Sequence, residues 1–197
     1  MVKKIRIILL FAAISVAAAF SLFAGDNAAG KTYYTKVNIW YETAQISSVN
    51  YHRGSFIPVG TKVVISNLHL GGITFKFGRD EAEFTISKSL HTPISRDDLF
   101  GHYFSPGNPL ESESYLKFSQ SEKENIKKGK ISAGMSKDAA IMAYGYPSGQ
   151  AKEDTDADTW TYAKSHFRKL SVTFSHGKVS MTSEEEKQKL NKEDGDD

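Results

Sequence analysis

Histidine and carboxylate side chains near the middle of the chain are the first candidates for metal chemistry. His91, Asp97, Asp98 and His102 lie close together in the sequence. Imidazole and carboxylate groups are suitable ligands for zinc and similar divalent ions. Only Asp98 and His102 have the spacing that places two side chains on one helix face. We therefore predict no metal site here, and we keep a metal-binding protein as an alternative.

A second acidic pattern, "EDTDADTW", resembles the start of a calcium-binding loop. Asp154, Asp156 and Asp158 alternate along it. An EF-hand loop places glycine at its sixth position and glutamate at its twelfth. Counted from Asp154, those positions hold Thr159 and Ser165. The pattern therefore favours a solvated acidic loop that precedes a strand.

Residues for covalent or acid–base catalysis do not form a known motif. His52 is followed by Arg53 and Ser55, but no spacing in the chain supports a Ser–His–acid triad. The sequence lacks G-x-S-x-G, H-E-x-x-H and a phosphate-binding glycine loop. It has no cysteine, which excludes disulfides and thiol nucleophiles. We predict no catalytic residue, no cofactor and no enzyme activity, with a small secreted hydrolase that uses residues 31–105 as the alternative.

Aromatic and arginine side chains near predicted turns indicate a binding surface instead. The stretches "NIWYE" and "NYHRGSF" supply Trp40, Tyr41, Tyr51, His52 and Arg53. Such residues are enriched where proteins bind partners. The sequence predicts this group as a candidate interaction surface. The alternative, that Trp40 is a core residue, stays open.

The first 24 residues have the pattern of a secretory signal peptide. Lys3, Lys4 and Arg6 precede an apolar run over 7–20, and small residues end the segment at Ala24. The run is shorter than the roughly 20 residues of a spanning helix. No cysteine follows it, so a lipid anchor is not expected. We predict export to the periplasm or outer-membrane periphery of a Gram-negative bacterium, where peripheral membrane association is still allowed.

Charge gives little support for a nucleic-acid partner. The formal net charge is +2, and three basic residues belong to the predicted signal. The tail, 183–197, contains seven acidic residues and three lysines. Such a charged tail is typical of a solvated, disordered segment. We expect a protein partner in the envelope and no nucleic acid.

The elements that would position these side chains fall into two parts, which gives an α+β fold. Residues 31–105 contain short alternating apolar runs separated by turn residues, which predicts a small antiparallel β-barrel or sheet. Residues 106–114 contain Pro, Gly and Asn and predict a linker. Residues 115–182 begin with helical patterns and end with three alternating runs. They predict two helices followed by a three-stranded antiparallel meander.

The two predicted helices have clear start and stop signals. Ser119 or Ser121, each with a glutamate three residues later, forms a capping box, and Gly129 ends that helix. Ser136 begins the second helix, which Gly145 ends. We interpret a further set of residues as structural rather than catalytic: Gly134, Met135, Ser136, Gly145, Pro147 and Trp160.

The second part resembles the SmpA/OmlA family of small envelope proteins, which includes the lipoprotein BamE of the outer-membrane β-barrel assembly machinery. The resemblance covers about 119–182 and rests on a motif of scattered residues: Ile126, Gly129, Gly134, Met135, Ser136, Lys137, Gly145, Pro147, Trp160, Tyr162, Phe174, Gly177, Lys178 and Val179. It implies a BamE-like fold and a non-catalytic interaction or scaffold role. The chain departs from that assembly subunit in lacking a lipidated cysteine and in having the region 31–105. That region resembles bacterial SH3-like barrels in "NIW" and "IPVGTKVVI".

Overall fold

The computed structural model describes residues 28–89, 94–147, 155–165 and 167–186. The predicted signal peptide, His91, Asp154 and the tail after 186 lie outside these ranges. Within them the chain is a mixed α+β protein with several antiparallel sheets. The described helices include none with the length and apolar character needed to cross a membrane.

Eight strands and one helix form the first part of the chain. The strands are β1 (Thr32–Thr35), β2 (Ile39–Tyr41), β3 (Gln45–Ser47), β4 (Ser55–Ile57), β5 (Lys62–His69), β6 (Gly72–Phe77), β7 (Ala82–Ser87) and β8 (Phe104–Ser105). Helix α1 (Arg96–Tyr103) lies between β7 and β8, and Ser95 caps its start.

Six of these strands form one sheet in the order β3-β7-β6-β5-β1-β8. The pairs are antiparallel except for β3 and β7, which are parallel. Strands β2 and β4 form a separate antiparallel ribbon. The core of this part is lined by Val63, Ile65, Ile73, Phe75 and Ile86 from the central strands.

The expected antiparallel sheet is therefore present, but the described strands do not close into a barrel. Strand β8 has only two residues and is followed by Pro106, which offers no further backbone donor for a ladder. Strands β2 and β4 pair with each other instead of extending the larger sheet. The larger sheet therefore stays open, because β8 is very short and because β2 and β4 form a separate pair.

The second part contains the remaining elements. They are a 3-10 helix η1 (Pro109–Glu111), helices α2 (Glu113–Lys117), α3 (Gln120–Lys128) and α4 (Lys137–Tyr144), and strands β9 (Thr159–Ala163), β10 (Lys169–Ser175) and β11 (Lys178–Thr182). The strands form an antiparallel meander in the order β11-β10-β9, which confirms the three-stranded prediction. The predicted linker contains η1 and the start of α2, and the division into two domains stays a prediction.

The helix ends match the sequence signals. Ser119, not Ser121, forms the capping box with Glu122 at the start of α3. Gly129 ends that helix in the left-handed conformation, with φ 59°. Ser136 caps α4 through the backbone N–H of Ala139. The local sequence therefore determines where both helices begin and end.

Helix α4 is short but largely buried. Ala139, Ala140 and Ala143 have no exposed surface, and the alanines allow close approach to the meander. Trp160 and Tyr162 of β9 are fully buried in the same core. An eight-residue helix is marginal alone because helix nucleation is costly. Its stability must therefore come from packing and from the groups that bind its ends.

Candidate functional site

The five residues predicted as an interaction surface do not all face solvent. Trp40, Tyr41, Tyr51 and Arg53 help to line a small cavity of about 160 Å³ beside β3. Arg53 forms an ion pair at 3.0 Å with Glu42, another lining residue. His52 is buried and does not line this cavity, although its ring centroid lies 5.4 Å from that of Trp40. The cavity thus gathers four of the five residues, and the role of the group in binding stays a prediction.

Trp40 also reaches into the contact between the two parts of the chain. Its ring centroid lies 4.9 Å from that of Phe56 and 6.2 Å from that of Tyr144 in α4. A Cβ atom placed on Gly129, at the end of α3, would lie only 2.8 Å from the indole ring. Glycine at this position therefore lets the ring pack directly on the backbone.

Asn38 binds the carboxyl ends of both helices. Its backbone N–H donates to the carbonyl of Met142 at 3.0 Å. Its side-chain Nδ2 donates to the carbonyls of Ile126 at 2.7 Å and Ala143 at 2.9 Å. Its Oδ1 accepts from the N–H of Val59 at 2.9 Å. Carbonyls in the last turn of a helix lack N–H donors within the helix. Asn38 donates hydrogen bonds to three such carbonyls, one in α3 and two in α4.

Asn50 and His52 complete the same cap. Nδ2 of Asn50 donates to the carbonyl of Tyr144 at 3.3 Å, and Nε2 of His52 lies 2.7 Å from that oxygen. Gly145 has φ 87°, and a Cβ atom there would lie 2.5 Å from Nδ2 of Asn50. The α4 cap, as we call Asn38, Asn50 and His52 together, thus comes from outside the helix's own part of the chain.

The imidazole of His52 is held neutral. Burial lowers its pKa to about 4; hydrogen bonds to the carbonyls of Tyr144 and Ala163 oppose this, and the charge of Lys164 adds to it. A neutral imidazole has one N–H, and we assign it to Nε2 because the contact of Nε2 with the Tyr144 carbonyl, at 2.7 Å, is shorter than that of Nδ1 with the Ala163 carbonyl, at 3.3 Å. The ring stacks on Tyr144 at 3.6 Å. Protonation would therefore place a charge inside a packed aromatic contact.

We expect His52 to make the protein less stable as the pH falls below neutrality. The unfolded chain takes up a proton near pH 6.5, whereas the folded chain does so only near pH 4. The contribution is complete above pH 6.5 and is lost toward pH 4, with a slope of up to about 1.4 kcal/mol per pH unit. Urea denaturation between pH 4.5 and 7 measures this slope.

The matched variants for this pH dependence are His52→Gln and His69→Gln. Glutamine keeps an amide donor near the position of Nε2 but does not titrate. His69 is exposed at the end of β5 and lies outside the α4 cap, so its replacement should leave the slope unchanged. An unchanged slope in His52→Gln would show that another group causes the acid sensitivity.

Glu122 connects the starts of α3 and α4. Its Oε2 accepts from the N–H and hydroxyl of Ser119, both at 2.9 Å. Its Oε1 accepts from the N–H and hydroxyl of Ser136, both at 2.8 Å. Burial raises the pKa of this carboxyl group, but the four hydrogen bonds outweigh it and lower the pKa to about 2. The carboxylate therefore stays ionised and fixes both helix starts.

Lys137 holds the loop that precedes β9. Its Nζ donates to the carbonyls of Thr155, Asp156 and Ala157 at 3.0, 2.8 and 2.9 Å. The same ammonium lies 5.5 Å from the Trp160 ring centroid. Three carbonyls of the described part of this loop thus bind a lysine. Asp156 and Asp158 are exposed, and the loop precedes β9, as the sequence predicted.

Three of the four residues considered for metal binding have other partners, and the fourth, His91, lies outside the described residues. Asp97 pairs with Arg96 at 3.2 Å, and Asp98 accepts from the Ser95 hydroxyl at 2.6 Å. The ring of His102 stacks on Tyr146 at 3.7 Å. Across the described ranges, no three His, Asp or Glu side chains are grouped so that they could hold a metal ion.

An open groove of about 660 Å³ lies where α4 meets the first part of the chain. Val37, next to Asn38, lines it together with Ile141 and Met142 of α4. The other wall comes from the turn after β8, from η1 and from the start of α2. Because the α4 cap fixes α4 against β2, it also fixes the shape of this junction groove.

Sequence analysis did not identify the junction groove or the α4 cap. The only local signal was a set of polar residues, Asn38, Asn50 and His52, within otherwise apolar or turn-rich stretches. Comparison with known proteins returned no relative, since no family model, no curated protein and no solved structure matches the chain.

Proposed function

We propose that this protein is a non-catalytic interaction or scaffold protein of the bacterial envelope that binds a protein partner in the junction groove. The observation that carries the proposal is the groove itself. Its apolar lining comes from both parts of the chain, and hydroxyl and amide groups surround it. Its volume falls in the range of about 300–1,000 Å³ that is typical of ligand pockets.

The chemistry of the groove suits a protein segment. Ile141, which is half-buried, supplies apolar contact area, and Met142 contributes to the lining although it is only 9% exposed. Ser105, Asn108 and Ser112 provide polar groups around this area. Binding surfaces typically combine an apolar centre with a polar rim. The apolar residues lie in α4, and the polar residues lie in β8 or next to η1. These elements limit the conformational entropy that would be lost on binding.

The envelope location and the relation to the SmpA/OmlA family are part of the proposal. The predicted signal peptide supports export. The motif residues Ser136, Gly129 and Gly145 serve as helix caps, and Trp160 is buried, as a shared structural motif would require.

Site-specific photo-crosslinking in cells tests this function. The photoreactive residue p-benzoylphenylalanine is introduced at Glu111, an exposed residue of η1 that lines the groove. The control position is Leu70, which is 86% exposed in the turn at the far end of β5. We expect a discrete crosslinked envelope protein from position 111 and none from position 70.

Two results would contradict the proposal. One is the absence of a crosslink from position 111 in cells that export the protein. The other is an equal set of crosslinks from both positions, which would indicate nonspecific contact. Metal analysis of the purified protein accompanies the test, because stoichiometric metal without a protein partner would favour the hydrolase or metal-binding alternative.

A further inference from the structure

The junction groove is lined by two carboxylates as well as by apolar side chains. Neither carboxylate has an ion-pair partner among the described residues. Glu111 of η1 and Asp138 in the first turn of α4 both line it, and both are exposed. Glu111 accepts a hydrogen bond from the neutral amide of Asn108 at 3.2 Å. Asp138 lies close enough to Tyr146 for its charge to raise the pKa of that phenol, although burial of the phenol is the larger cause.

Lys36 is the one lysine or arginine among the described residues that line the groove, and its ammonium has a backbone partner. Nζ of Lys36 donates to the carbonyl of Gly101 at 2.6 Å. Lys137, the neighbour of Asp138 in sequence, is bound to the carbonyls of the loop at 155–157. The groove therefore presents negative charge next to the apolar side chains Val37, Ile141 and Met142.

We infer that the junction groove selects a partner segment in which a bulky apolar side chain lies next to a lysine or arginine. The apolar side chain would contact Ile141 and Met142, and the cation would lie between Glu111 and Asp138. Complementary charge at a rim mainly sets specificity and the association rate. This inference rests on the proposed function and specifies the chemistry of its partner.

The structure also explains why the charge would matter at this place. Asp138 occupies the first turn of α4, and its charge is favourable with the helix dipole there. A partner cation therefore meets a carboxylate whose backbone is fixed by the caps at both ends of α4. An acidic partner segment would place like charges together, which is unfavourable.

Selection of a random dodecapeptide display library on the intact protein tests the inference. We expect the enriched peptides to share Lys or Arg beside Leu, Ile, Met or Phe. Their binding should weaken about tenfold in the double variant Glu111→Gln and Asp138→Asn. The matched control is the double variant Asp80→Asn and Glu83→Gln, which removes two exposed acids near the β6–β7 turn.

The outcomes separate the inference from the proposed function. Enriched peptides that are acidic or uncharged and still block crosslinking from position 111 would overturn the inference and leave the proposed function intact. Basic peptides that bind both double variants equally well would also overturn the inference. Failure of every peptide to bind or to block that crosslink would count against both. Circular dichroism of each variant shows that the fold is kept.

Discussion

Replacing Asn38 with alanine should lower the free energy of unfolding by about 3–5 kcal/mol. The side chain is only 1% exposed, and it takes part in hydrogen bonds with Val59, Ala143 and Ile126. Without it, a buried N–H and a helix carbonyl are left without partners. Equilibrium denaturation in urea at pH 7 measures the change.

Asn67→Ala is the matched control for this experiment. Asn67 lies in β5 and is exposed, so its replacement should change stability by no more than about 0.5 kcal/mol. Both variants replace an asparagine with alanine, so the difference between them measures the contribution of the contacts that Asn38 makes in the α4 cap. Equal and small losses in both would mean that Asn38 contributes no more than a surface residue.

Replacing Glu122 with glutamine should cost about 3 kcal/mol at pH 7. The carboxyl group has a pKa of about 2 in the folded chain, against 4.5 for an unperturbed group. Its contribution is therefore present above pH 4.5 and is lost as the pH falls toward 2. Glutamine keeps one oxygen acceptor, but its NH₂ group would face the N–H and hydroxyl of Ser119 or Ser136, which then lose their acceptor.

The control for Glu122→Gln is Glu124→Gln in the same helix. Glu124 is exposed and accepts a hydrogen bond from Gln120 at 3.2 Å, so we expect little change in stability. The Glu122 variant should also lose the part of the acid dependence that lies below pH 4.5. A Glu122 variant as stable as the control at pH 7, with the acid dependence intact, would contradict the described role of the carboxylate.

Local structure in this chain could be predicted because its signals lie within a few residues of the feature they determine. Ser119 and Glu122 are three residues apart and form the capping box. Ser136 and Gly145 mark the two ends of α4 in the same way. The strands of the meander could be predicted in the same way, because the alternation of apolar and polar side chains is visible within each short segment.

The α4 cap could not be predicted because its partners are far apart along the chain. Asn38 lies 88 residues from Ile126 and 105 residues from Ala143. An asparagine in a strand-like stretch gives no indication of which carbonyl it will bind. For the same reason, nothing in the sequence indicated that Trp40 and His52, which belong to the candidate interaction surface, both contact Tyr144. The junction groove depends on this docking and was missed with it.

Hydrogen exchange of the native protein tests the central claim, that the first part of the chain caps and stabilises α4. We expect the N–H groups of Asn38, Tyr144 and Gly145 to exchange with the same free energy of opening in the unmodified protein. In Asn38→Ala, protection of the α4 amides should fall together with that of Val59, which would indicate one cooperative unit. If the α4 amides kept their protection while only Val59 lost it, the helix would be stable without this cap, and the account would be contradicted.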